Sequence, residues 1–182
     1  MNKWSKQLYK YLGTPPKHGR CDESQLEATQ NLIGTSLPDD FLDFVRKYGP
    51  GRISLQFYSY MIYSPFLSRY VDIVRTEYFD FNPSLHRHCE PANCEVSMTI
   101  FPDEGGFLIF GSGNDPKLGW KTVGDPNEWP VVFLWDYFVG FNTVFEMTFA
   151  EFFVKLIRRE INLYSEQEWT PDNVTFVSDE RF

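Results

Sequence analysis

The segment from Gly105 to Val132 constrains the fold more than any other part of the chain. It reads GGFLIFGSGNDPKLGWKTVGDPNEWPVV and predicts three strands, at residues 107–110, 118–123 and 129–135. The two turns between them consist of glycine, asparagine, aspartate and proline, which tolerate positive φ or fix a turn. Because no helix separates the strands, the segment predicts an antiparallel meander. The first strand is apolar at every position, which indicates burial on both faces.

Amphipathic spacing predicts helices on both sides of this meander. The strongest pattern follows Met147, where Thr148 and Glu151 have the spacing of a capping box. Another helix is predicted to begin near Ser36 as its cap, with Asp39 and Asp40 placed at the positive end of the helix dipole. The predicted helices cover residues 3–12, 22–33, 36–48, 64–78 and 149–161.

Additional strands are predicted at 53–57, 96–101, 143–147 and 174–177, and a long loop at 80–94. Trp129 and Trp135 are assigned to the core, and so is Trp120, for which a place in a binding face is the alternative. The chain is therefore predicted to be an α+β protein, with one domain over residues 1–182 and a twisted, mainly antiparallel sheet packed against helices.

Charge narrows the possible partners. The 182 residues carry a formal net charge of −8, with a sequence pI near 4.9. Binding to nucleic acid or to an anionic membrane requires a basic surface, so neither is expected. The N-terminal residues lack the apolar run of a signal peptide, and an odd number of cysteines, three, does not indicate a disulfide framework. A cytoplasmic location follows as an expectation.

The candidate chemical motifs are weak. His86, His88, Cys89 and Cys94 are potential zinc ligands, but their spacing matches no common zinc pattern, so no metal site is predicted. Ser112 lies between two glycines without the strand–elbow–helix context of a hydrolase nucleophile. The glycines of the meander precede no helix that would make a phosphate site. No catalytic residue and no cofactor are predicted.

Two sequence blocks carry a family resemblance. The first is IGTSLPDDFLDFVRKYGPGRI at residues 33–53, and the second is PDEGGFLIFG followed, after a turn and a strand, by GDPNEWPVV. In this order the blocks resemble the SUKH superfamily, which includes the yeast cell-wall assembly regulator and many bacterial immunity proteins that neutralise toxins. The resemblance spans about residues 22–161 and leaves residues 162–182 as an acidic extension. It implies an α+β fold and a non-enzymatic protein that works by binding.

The function expected from this resemblance is neutralisation of a cognate toxin by occlusion. If the toxin is a nuclease, its basic surface would attract an acidic antidote. The predicted partner-binding residues are acids of the meander turns and nearby tyrosines: Asp103, Glu104, Asp115, Asp125, Glu128, Tyr58 and Tyr60. Tyr63 is a further candidate. Two alternatives remain open, a cytosolic scaffold or regulator of the cell-wall-regulator type and a metal-dependent hydrolase that uses the His86–Cys94 segment.

Overall fold

Among the residues that the structure describes, seven strands form one sheet in which every pair of neighbours is antiparallel. The computed structural model describes residues 2–17, 21–78, 101, 104–113, 116–134, 142–161, 163 and 170–179. Its strands are β1 (Gly51–Leu55), β2 (Tyr58–Ile62), β3 (Phe107–Ser112), β4 (Lys117–Lys121), β5 (Val131–Leu134), β6 (Asn142–Phe145) and β7 (Val174–Ser178). Its α-helices are α1 (Lys3–Leu12), α2 (Glu23–Ile33), α3 (Asp39–Tyr48), α4 (Ser68–Tyr78) and α5 (Phe149–Ile157).

The strand order is β6-β5-β4-β3-β2-β1-β7, so the predicted α+β class and the predicted meander are both confirmed. The meander forms β3, β4 and β5, with Leu108 opposite Trp120 and Trp120 opposite Val131. Strand β7 pairs with β1 along its whole length and extends the sheet. Helix α1 packs against α5 and β7. Elements outside residues 22–161 therefore belong to the same sheet and core as the rest of the described residues.

Strand β3 is covered on both faces, as its apolar sequence predicts. Leu108 and Phe110 belong to the main core, whereas Phe107 and Ile109 belong to a second apolar cluster. Tyr70 of α4 is buried and its hydroxyl donates a hydrogen bond to the Ile109 carbonyl oxygen at 2.8 Å. Burial of this hydroxyl raises the pKa of Tyr70.

The main core is largely aromatic, because α3 and α5 both place phenylalanines on the sheet. The ring of Phe41 lies 4.9 Å from that of Trp120 and 5.3 Å from that of Phe149, both in edge-to-face geometry. Phe110 lies 4.6 Å from Trp120. Such pairs add about 1 kcal/mol each beyond the area that they bury. Trp120 and Trp129 are buried, as predicted.

Some predicted boundaries differ from the observed ones. Helix α4 begins at Ser68 rather than at Ser64, because the Ser64 hydroxyl accepts a hydrogen bond from the Phe66 amide in a preceding turn. Strand β1 ends at Leu55, because Gln56 adopts a φ of 50° in a tight turn. Phe57 in that turn is 65% exposed, although strand alternation predicts it to be buried.

Several predicted features lie outside the described residues. They are the loop at 80–94, most of the strand at 96–101, Trp135 and the segment His86–Cys94. Within the ranges that the structure describes, no helix has the length and apolar character needed to cross a membrane.

Replacement of Gly119 by alanine tests the close packing of β3 against β4. A Cβ atom at this position would lie against the Phe107 ring and 2.5 Å from the Leu108 carbonyl oxygen. Backbone cannot yield as a flexible side chain does, so we expect Gly119→Ala to lower the free energy of unfolding by about 2 kcal/mol or more. Urea denaturation measures this loss.

Gly124→Ala is the matched control for the added methyl group. Gly124 has a φ of +69°, and a Cβ atom at this position would have no neighbouring atom within 4 Å. Its replacement therefore introduces only backbone strain, about 1 kcal/mol. Equal losses for the two variants would contradict the steric explanation.

Candidate functional site

An acidic cleft opens where the N-terminus of α3 meets the turn before β5. Its volume is about 260 Å³. The described side chains that line it are polar, and three of them are carboxylates: Asn2, Ser5, Asp39, Asp40, Asp43, Asn127 and Thr148. Asp39 is exposed and Asp43 is half-buried, so the cleft presents negative charge to solvent.

The turn before β5 is built to cap α3. Asp125 accepts a hydrogen bond at 2.8 Å from the amide of Asn127, which lies in the 3₁₀ turn Pro126–Glu128. The Asn127 side-chain oxygen then accepts a hydrogen bond at 2.8 Å from the Asp39 amide, in the first turn of α3. That amide would otherwise lack an intrahelical partner. The turn and the helix are therefore held together by a side-chain cap.

Asp40 caps α5, as Asn127 caps α3. Asp40 is buried, with 8% of its surface exposed, and its Oδ2 accepts a hydrogen bond at 2.9 Å from the Ala150 amide in the first turn of α5. Burial raises the pKa of the Asp40 carboxyl group, and the Ala150 hydrogen bond opposes that effect without cancelling it. The positive end of the α5 dipole also favours a carboxylate here.

Both caps differ from the sequence predictions. The sequence predicts Ser36 as the cap of α3, but the residue at the N-cap position is Pro38, which makes no side-chain hydrogen bond to the helix. Thr148 occupies the N-cap position of α5 but makes no cap hydrogen bond either. Glu151, its predicted partner in a capping box, instead pairs with Lys155 at 2.8 Å. The first-turn amides of α3 and α5 are instead bound by side chains that are distant in sequence, those of Asn127 and Asp40. The spacing of residues near each helix could not reveal these caps.

Three predicted partner-binding acids lie at the same end of the sheet as this cleft. Asp125 and Glu128 are exposed and flank Asn127 in the capping turn. Glu104 is exposed in the turn that precedes β3, where the Gly105 amide donates a hydrogen bond at 2.9 Å to the Thr122 carbonyl oxygen. Asp125 follows Thr122 after two residues of the chain. Glu104, Asp125 and Glu128 thus extend the negative surface around the cleft.

The predicted tyrosines do not join this surface. Tyr60 is completely buried and lies 5.9 Å from the ring of Phe153, so its prediction as an accessible binding residue is wrong. It faces the core because it is paired with Ile53, on the face that the helices cover. Tyr58 is half-buried. Strand β2 pairs with β3 through its last two residues, and Met61 lies opposite Ser112 at the end of β3 that is far from the cleft. Tyr58, at the start of β2, therefore lies at the opposite end of the sheet from the cleft.

The remaining predicted residues are placed as follows. Tyr63 is half-buried and its hydroxyl donates a hydrogen bond to the Ser112 hydroxyl oxygen at 3.0 Å. Ser112 lies in strand β3 rather than in a turn. Asp103 and Asp115 lie outside the described residues. The sequence places Asp39 at the positive end of the α3 dipole and singles out no role for Asp43, so neither residue is in the predicted site.

The chemistry available in the cleft is acceptance of hydrogen bonds and attraction of cations. Its carboxylates lie beside amide and hydroxyl oxygens, a combination that suits a guanidinium or ammonium group. In the part of the chain that the structure describes, no group of three or more His, Cys, Asp or Glu side chains is arranged to hold a metal ion.

Comparison of the chain with protein-family models, with curated proteins and with solved structures found no match.

Replacement of Asn127 by alanine removes the cap of α3. The Asp39 amide loses its acceptor, and loss of such a cap typically costs about 1 kcal/mol in the free energy of unfolding. Urea denaturation checks this expectation. Asn31→Ala is the control, because Asn31 is an exposed residue of α2 where alanine favours the helix. Similar losses for both variants would show that Asn127 contributes nothing as a cap.

The raised pKa of Asp40 predicts a pH-dependent stability. As pH rises from below about 3.9, the carboxyl group ionises in the unfolded chain before it ionises in the folded protein. We therefore expect the unfolding free energy of the wild type, measured relative to that of Asp40→Asn, to fall as pH rises. Above the raised pKa of Asp40, this difference between the two proteins should stay constant. Asparagine retains an oxygen that can accept from Ala150.

Urea denaturation of both proteins at several pH values between about 3 and 7 measures this difference. Asp39→Asn, an exposed neighbour in the same helical turn, is the control for the loss of one negative charge. A stability of the wild type that rises with pH relative to that of Asp40→Asn would contradict the prediction.

Proposed function

We propose that this protein is a non-enzymatic binding protein that neutralises a toxin by occluding it, and that the acidic cleft and its surrounding acids form the binding surface. The proposal joins two lines of support. One is the resemblance of two sequence blocks to the SUKH superfamily, whose bacterial members include toxin-immunity proteins. The other is the position of the acidic cleft, which lies between those same two blocks.

The observation that carries the proposal is the concentration of exposed acids at one end of the sheet. Asp39, Asp125 and Glu128 meet around Asn127, with Glu104 in the adjoining turn. A basic protein surface would be attracted to this end and oriented by it, which speeds association. The buried aromatic core behind α3 provides a rigid support for the surface.

The partner that fits this surface is a basic toxin domain, for example a nuclease that uses positive charge to hold nucleic acid. Occlusion needs no reacting group on the antidote: it requires only that acidic side chains cover the basic residues with which the toxin binds its substrate. We place this interaction in the cytoplasm. The alternative roles, a scaffold or a metal-dependent hydrolase, have no described feature that favours them over binding at the acidic cleft.

Charge reversal at two exposed positions tests the proposal. The double variant Asp39→Lys/Glu128→Lys replaces two negative charges of the surface by two positive ones, and neither side chain accepts a cap hydrogen bond in the structure. Protein captured from lysate of the source cells by wild type at low salt should include one basic protein, which the double variant fails to retain. Salt should weaken this capture, because exposed charges are screened.

The decisive step is neutralisation of the captured protein. When that protein is expressed alone it should arrest growth, and co-expression of the wild type should restore growth whereas the double variant should not. Glu27→Lys, an exposed residue of α2, is the control and should restore growth like the wild type. Circular dichroism confirms that the variants fold. A captured protein that is harmless, or one that the double variant retains equally well, would refute the proposed function.

A further inference from the structure

The basic residues of this acidic protein are unevenly distributed. Six of the 17 Lys and Arg residues lie on α1 and on the C-terminal half and following turn of α5, two elements that pack together. These residues are Lys3, Lys6, Lys10, Lys155, Arg158 and Arg159. Helix α1 contains no acidic residue, and α5 contains only Glu151, which is paired with Lys155. The net charge of −8 therefore coexists with a locally positive face.

A groove of about 670 Å³ lies on this face, between α1, the end of α5 and the 3₁₀ turn Pro171–Asn173. Among the described residues, two cations, two rings, an amide and one carboxylate line it: Lys10, Arg158, Tyr11, Pro171, Gln7 and Asp172. We call it the basic groove. It is distinct from the acidic cleft, which shares none of these residues.

The guanidinium group of Arg158 is held in place but only partly satisfied. Its Nε donates a hydrogen bond to the Tyr11 hydroxyl oxygen at 2.9 Å, and its Nη1 lies 3.7 Å from a carboxylate oxygen of Glu160. That separation is too long for a strong hydrogen bond. Among the described residues, nothing forms an ion pair with Lys10, which is exposed. Two positive groups therefore lie in the groove with bonding capacity to spare.

We propose that the basic groove binds an extended, acidic segment of a protein partner. An aspartate or glutamate side chain of that segment pairs with Lys10 and Arg158, since charge-assisted hydrogen bonds are the strongest that these groups form. Tyr11 and Pro171 provide rings against which a neighbouring apolar side chain packs. This inference does not depend on the proposed function, because it concerns another surface and a partner of opposite charge.

Asp172 distinguishes a peptide from a polyanion such as nucleic acid. Its carboxylate lines the same groove, where it repels a phosphate backbone and accepts hydrogen bonds from N–H groups. A peptide supplies both backbone N–H donors and acidic side chains, so it can satisfy Asp172 and the two cations together. An oligonucleotide backbone supplies only acceptors and negative charge. The mixed lining therefore favours a peptide.

A display library of random octapeptides, selected on the immobilised full-length protein, tests this inference. The selected peptides should be enriched in aspartate or glutamate next to an apolar residue. Synthetic versions should bind the wild type in fluorescence anisotropy, and Lys10→Glu should weaken that binding by about tenfold or more. Lys6→Glu is the matched control, an exposed lysine of the same helix outside the groove, and should change binding by less than about twofold.

Several results would overturn the inference. A library that yields no acidic peptides would overturn it. Selected peptides that bind the Lys10→Glu variant as tightly as they bind the Lys6→Glu variant would also overturn it. Competition supplies the other arm of the test. A single-stranded oligonucleotide or inorganic phosphate that displaces the peptide from the wild type at equal or lower concentration would show a general polyanion site instead of a peptide site.

Discussion

The hydrogen bond from the Ala150 amide to the buried Asp40 carboxylate is the constraint on which the helical layer depends. A buried carboxylate costs free energy unless donors satisfy it, and the N-terminus of α5 supplies both a donor and a favourable dipole. The bond therefore fixes α3 against α5. This position brings Phe41 of α3 into edge-to-face contact with Phe149 of α5 and with Trp120 of the sheet. Polar capping and aromatic packing favour the same arrangement.

A second cap connects this pair of helices to the sheet. Asn127 reaches from the turn before β5 to the first amide of α3, across 88 residues of sequence. Residues 33–53 and the turn at residues 124–128 therefore meet at one point, where polar side chains hold the structure together as well as carrying charge. Asp125 accepts a hydrogen bond within its turn, whereas Glu128 is exposed beside it. The acidic cleft is a consequence of this junction, since the turn that caps α3 also carries acids.

The N-terminal helix borders two surfaces of opposite charge. Asn2 and Ser5 line the acidic cleft, whereas Lys10 and Tyr11 line the basic groove farther along the same helix. The net charge of the protein is a sum over both surfaces, and by itself it would predict only that the protein attracts cations. Local geometry separates the two surfaces, because exposed charges are largely screened from each other beyond a Debye length of about 8 Å in physiological salt. The acidic cleft and the basic groove therefore attract groups of opposite charge independently of each other.

Local sequence determined most of the secondary structure, because periodicity and turn residues act over a few neighbours. Helices α1 and α2 and strand β7 lie within one residue of their predicted bounds. The α+β class follows from the same signals. Only the tertiary structure decided which side chains cap α3 and α5, that Tyr60 is buried, and which acids share one end of the sheet. Those outcomes depend on contacts between residues far apart in sequence, where the pairing of strands and the packing of helices select one partner among many chemically equivalent ones.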